Sequence, residues 1–214
     1  MDSGYVPDAV LEREALALLA AYENQEGAVI VPPVPIDLIV ENLLQIDIDW
    51  APLDLPSDER VLAAIELTPR RRRIIMNERE RDHFERYSGT EAYSKAHEVG
   101  HAVLHLPHEP GMQPMLWRTD VVIALCRSLR ADRREIQAER FAAYLLMPES
   151  LVRSATASRA ITSWQQIYRL RDMFSVSVTA MTKRLVALNL AYVTVDGTVF
   201  PSREAATGQD RLPI

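Results

Sequence analysis

At 214 residues, 48% of them hydrophobic, and with a formal net charge of −6, the chain can build one substantial core and a small second unit, and it is too acidic to coat nucleic acid along its whole surface. A single cysteine, Cys126, excludes an intrachain disulfide framework and fits a reducing compartment. No apolar run approaches the ~20 residues needed to span a bilayer, and Met1-Asp2-Ser3-Gly4-Tyr5 lacks the basic-then-apolar start of a secretion signal, so a cytoplasmic protein with no membrane partner is expected.

Over 8–25, Val10, Leu11, Leu16, Leu18 and Leu19 recur near helical spacing, with Glu and Arg between them. Pro32-Pro33-Val34-Pro35 breaks that pattern, and a short second helix is expected over 36–44. Ile46-Asp47-Ile48-Asp49-Trp50 alternates apolar and acidic residues, as a half-buried strand does. Two more strands are expected at 61–67 and 73–76, separated by Thr68-Pro69 and an arginine run. Together they predict a small, largely antiparallel sheet. A helix over 90–106 follows, with Thr90 as its N-cap and Pro107 as its stop. Residues 107–131 read as irregular, and a second strong helix runs from about Asp132 to Met147. Shorter helices are expected at 149–157, 163–173 and 178–189. Ala191–Val195 and Thr198–Phe200 flank Asp196-Gly197, a hairpin turn signal, and 201–214 reads as a flexible tail.

The chemistry is concentrated in His97-Glu98-Val99-Gly100-His101. Residues four apart share one helix face, so His97 and His101 can aim imidazole nitrogens at one ion. Zinc favours such ligands, and a catalytic zinc takes three protein ligands and keeps one position open. Glu98, next to the first ligand, is placed to act as general base on an activated water. Gly100 costs about 1 kcal/mol against alanine in mid-helix, which points to close approach by another segment. The third ligand is sought on the next helix, where Glu135 and Glu139 stand four apart on one face. One carboxylate can complete the metal set and the other can orient a ligand histidine. Two histidines and a carboxylate also suit manganese or iron.

The runs Ala96-His97-Glu98-Val99-Gly100-His101-Ala102-Val103-Leu104-His105 and Glu135 to Pro148, ending Leu145-Leu146-Met147-Pro148, resemble the ImmA/IrrE family of metallopeptidases. Pro33-Val34-Pro35-Ile36, Ile75-Met76-Asn77, Phe174-Ser175-Val176-Ser177 and Lys183-Arg184-Leu185 are weaker points of likeness, so the resemblance spans about residues 30–190. It implies an α+β fold: a zincin-like metallopeptidase core over 1–148, with the sheet packed on helices, followed by a winged helix-turn-helix-like segment over 149–200. By similarity to the wider gluzincin pattern Glu-x-x-Ala-Asp, Glu135 is the third ligand. Glu139 takes the place of the supporting Asp, where the family often has Asn; this is a departure. The resemblance further implies a regulatory endopeptidase with one zinc ion, acting in stress response on a protein substrate, a DNA-binding helix-turn-helix repressor.

His105, Tyr93 and Tyr144 are candidate oxyanion donors, although each also suits a packed, hydrogen-bonded position. Cys126 is a candidate inhibitory thiolate and more simply a buried filler, while His108 and Glu109 read as solvated loop residues. Arg70–Arg73, with Arg79 and Arg81, alternate with acids and read as a solvated hairpin. Residues 1–150 carry 16 Lys and Arg against 26 Asp and Glu, whereas 151–200 carry 6 against 2. That positive balance and the helix spacing allow DNA contact through 150–200. The rival to an enzyme is a non-proteolytic, metal-stabilised regulator that binds DNA or a toxin-antitoxin-type partner.

Overall fold

The computed structural model describes residues 6–53, 60–68, 70–87, 89–105, 123–125 and 133–208, the side chains of 123–125 excepted. Helix α1 (Asp8–Glu26) buries Leu11, Ala15, Leu19 and Tyr22, a single stripe at helical spacing. It closes at Gly27, whose left-handed φ of 66° lets its N–H reach the Glu23 carbonyl. After the proline break comes α2 (Ile36–Leu38), which widens at once into a π-turn, Ile39–Leu43, so the second helix is less regular than its sequence suggests.

Strands β1 (Asp47–Ala51), β2 (Ala63–Leu67), β3 (Arg72–Asn77) and β4 (Ile123–Leu125) form one sheet in the order β1-β3-β2-β4. β2 runs antiparallel to β3, as expected, and to β4, a strand within the stretch that reads as irregular; β1 and β3 are parallel. The reason is placement: the β2–β3 hairpin inserts β3 between β2 and β1. β3 takes the centre because Ile74, Ile75, Met76 and Asn77 are all buried, as a strand covered on both faces requires. Arg73, at its start, bridges Asp49 (2.9 Å) and Glu66 (2.7 Å) on the strands to either side. The arginine run is thus partly absorbed into the sheet.

A 3-10 turn and α3 (Arg81–Arg86) lead into α4 (Thr90–Leu104), the helix with the histidines. Its N-cap is Gly89 and not Thr90, for a steric reason. Gly89 has φ 82°, and a Cβ there would stand 2.5 Å from the Val176 Cα and 2.6 Å from the Ser175 carbonyl oxygen. Then follow α5 (Arg133–Leu146), α6 (Glu149–Thr156), α7 (Trp164–Phe174) and α8 (Val178–Ala187). The hairpin is β5 (Tyr192–Val193) with β6 (Val199–Phe200), and α9 (Arg203–Thr207) is a short helix inside the segment read as a tail.

α4 packs on α5 and β2, and α1 covers α5 from another side. One buried cluster runs from Leu19 and Ile39 through Ile74, Val99 and Phe141 to Ile167, Phe174 and Leu185. The helices after 148 therefore share the core of those before it. Among the described residues no helix is long and apolar enough to cross a membrane.

Candidate metal centre

Close packing of α4 against α5 creates the site. A Cβ at Gly100 would lie 3.0 Å from the Ala138 Cα and 3.2 Å from its carbonyl oxygen, so the expected close approach is made by α5. With both helices small at the crossing, side chains one turn away on each side meet directly. Lys95, 4% exposed at its side chain, adds a tether: its Nζ donates to Asp37 of α2 (2.8 Å) and to Glu91 (2.6 Å). That pair of bonds holds the rotation of α4 just before His97.

At the crossing His97 Nε2 and His101 Nε2 lie 3.1 Å apart. The Glu135 carboxylate spans both, Oε2 at 3.3 Å from His97 and Oε1 at 3.3 Å from His101. One donor atom from each of the three can be chosen so that all lie within 4.8 Å of one another. Donor atoms ~2.0–2.1 Å from a tetrahedral zinc are roughly 3.3 Å apart, so the observed separations suit such an ion. Two imidazoles and one carboxylate also match the donor set of a catalytic zinc with one position left open. His97, His101 and Glu135 therefore fit a metal. Burial would raise the Glu135 carboxyl, but hydrogen bonds to His101 and His97 outweigh it and bring the group down to about 2. Glu135 is thus an anion throughout the neutral range.

Glu98 is 1% exposed, the one fully buried acid among the described residues. Glu139 is exposed and sits outside the three-donor cluster; what it offers is its backbone carbonyl, which accepts from the Tyr93 hydroxyl at 3.3 Å. The side chain beside His101 is that of His105, whose Nδ1 is 3.0 Å from His101 Nδ1. His105 Nε2 in turn is 3.0 Å from the Oε1 of Gln137. Burial lowers the His105 pKa, with the Gln137 hydrogen bond opposing it, so this ring is neutral at neutral pH.

Tyr93 stands one turn before His97, and burial chiefly raises its pKa, keeping the hydroxyl protonated. Tyr144 lies elsewhere, under the guanidinium of Arg184 (4.8 Å) on the side of α5 that faces α1. Cys126, His108 and Glu109 fall outside the described residues. Sequence reasoning missed Gln137 and Lys95. Their signal was only that a polar residue occupies a position at core spacing on a helix carrying ligands.

A family model named Peptidase_M78, described as the IrrE N-terminal-like domain, matches residues 55–186. That range takes in α4, α5 and the helices through most of α8. Among curated proteins no significant match is found.

Proposed function

The chain belongs to the Peptidase_M78 family of IrrE N-terminal-like domains, and on that premise we propose that it is a zinc-dependent regulatory endopeptidase with Glu98 as its general base. The observation that carries this reading is the His97, His101 and Glu135 cluster, with a buried glutamate directly after its first histidine. Zinc held by these three residues would supply Lewis-acid activation of water and of the scissile carbonyl. Glu98 takes the proton from the attacking water and delivers it to the amide nitrogen as the peptide bond breaks. Of the three candidate oxyanion donors, Tyr93 lies on the α4–α5 seam and would have to release the Glu139 carbonyl to serve, His105 is engaged at both ring nitrogens, and Tyr144 faces α1.

The substrate we propose, a helix-turn-helix repressor, rests on the family resemblance. The test is a comparison of new protein N-termini in cells making the wild type and Glu98→Gln. Wild type is expected to generate a new terminus in such a repressor. Glu98→Gln is expected to keep the metal and lose cleavage by ~10²-fold or more, and His101→Ala to lose both. Cleavage by Glu98→Gln at the wild-type rate would sink the mechanism.

One observation favours a second reading, DNA contact through 150–200. α7, a short turn, α8 and the β5–β6 hairpin follow one another as helix-turn-helix and wing would, and α8 exposes Thr179 and Lys183. Arg184, however, turns inward and is 4% exposed at its side chain, which subtracts one cation from that face. Salt-dependent binding of the full chain to duplex DNA, lost in Lys183→Glu, would support this reading.

A further inference from the structure

His105 and Gln137 are polar groups beside the site that the hydrolysis described above does not use. Both ring nitrogens of His105 are engaged, Nδ1 with His101 Nδ1 and Nε2 with Gln137 Oε1, each at 3.0 Å. Gln137 is buried, two residues past Glu135 on α5. His105 caps α4 one turn past His101, its N–H donating to the His101 carbonyl at 3.1 Å. The series Gln137, His105, His101 therefore joins the two helices and ends at His101 Nε2, 3.3 Å from the Glu135 carboxylate.

A neutral imidazole carries one N–H and one lone pair, and each hydrogen bond in the series holds one proton. Direction therefore passes from ring to ring. With the glutamine presenting Oε1, His105 donates from Nε2 and accepts at Nδ1. With a metal bound, His101 would donate from Nδ1 and leave its lone pair on Nε2; the Nε2 proton that Glu135 accepts without a metal is the one that binding would release. Run backwards, with a glutamine N–H donating to His105, the series would end with a proton on His101 Nε2, where it blocks ligation.

We propose that His105 and Gln137 are positioning residues that hold His101 as its Nδ1–H tautomer and aim its Nε2 lone pair at the metal. This rests on the reading of His97, His101 and Glu135 as ligands. A ligand histidine ordinarily donates its second N–H to a carboxylate, carbonyl or water. Here the acceptor is another histidine, which accepts at Nδ1 only when its Nε2 has somewhere to donate. Gln137 supplies that acceptor, so an uncharged amide on α5 sets the protonation pattern of a ligand on α4.

The test uses the full-length, zinc-loaded protein labelled with 15N-histidine, in which long-range 1H–15N correlations separate the two tautomers. His105 is expected as Nε2–H and His101 as Nδ1–H; a His105 carrying its proton on Nδ1 overturns the proposal. Zinc affinity, measured by competition with a chromophoric chelator, gives a second readout. Gln137→Leu is expected to weaken zinc binding by about 10-fold or more, and Gln137→Glu, which keeps the acceptor, to restore most of it. Unchanged affinity in Gln137→Leu also overturns it. Circular dichroism of the metal-free variants checks that the helices are kept, and if Gln137→Leu does not fold, the wild-type tautomers decide. A chain that takes up no zinc overturns this proposal together with the metal reading. A chain with these tautomers that cleaves nothing upholds the proposal and overturns only the peptidase reading.

Discussion

Lys95 shows how much a single side chain can matter without touching the metal. Its ammonium is buried, while its partners Asp37 and Glu91 are about half exposed. A buried charge costs desolvation that its pairing must offset, and an apolar side chain of similar length removes that cost along with the pairing. Lys95→Met is therefore expected to change unfolding free energy by about 1 kcal/mol or less, since Asp37 and Glu91 return to water. Lys95→Glu puts a third acid among them and is expected to cost about 3 kcal/mol or more. Urea denaturation of the two variants checks this; equal costs would mean that packing alone fixes this face of α4. At this scale the site was largely legible. Histidines four apart with a glutamate between them, and a carboxylate on the next helix, are spacings that one chain displays openly. Spacing alone did not choose between Glu135 and Glu139, because both lie on one face; the family likeness pointed to Glu135, and the helix crossing brings Glu135 to His97 and His101. Gln137 was missed for a related reason, since a hydrogen-bonded series across two helices leaves no pattern in either one, whereas the packed, hydrogen-bonded reading of His105 matches its contacts.

Between elements, the α4–α5 crossing decides the geometry of the centre. Gly100 faces Ala138 with backbone, not a flexible side chain, as the nearest obstacle. Gly100→Val would gain helix propensity and still push the helices apart, and overpacking of this kind costs about 1–3 kcal/mol. The variant is expected to melt lower than wild type and to bind zinc more weakly, because His97, His101 and Glu135 sit on opposite sides of that crossing. Thermal melts with and without zinc read both effects; a wild-type zinc affinity would show that the donors adjust independently of the crossing. Most helices were readable from apolar spacing and proline stops. The sheet was readable only in part. Alternation in 46–50 marked a strand, but nothing local says that β3 enters between β1 and β2, and that insertion makes the β1–β3 pair parallel. The N-cap of α4 was hidden likewise, since the demand for glycine at 89 comes from Ser175 and Val176, almost ninety residues away in sequence.

Across the described residues as a whole, the helices after 148 are tied to the part that carries His97, His101 and Glu135 in several ways. Phe174 and Leu185 enter the common core. The α7–α8 turn seats Gly89 at the start of α4. Arg184 donates to the Met147 carbonyl at 2.9 Å and to Glu12 of α1 at 2.6 Å, with its guanidinium over Tyr144. A sequence boundary drawn where charge balance changes sign separates surface properties here, not cores. Gly89→Ala combines a strained φ with a backbone clash and is expected to cost about 3 kcal/mol. Hydrogen exchange should then show α4 and α8 losing protection together, as parts of one cooperative unit. Loss confined to either helix would mean that the two parts fold separately.

The central claim is that one metal ion is held by His97, His101 and Glu135 beside Glu98, and metal analysis of purified wild type, Glu135→Ala and Glu139→Ala tests it most directly. One zinc per chain is expected in wild type and in Glu139→Ala, and none in Glu135→Ala. Zinc retained by Glu135→Ala and lost from Glu139→Ala would contradict the account.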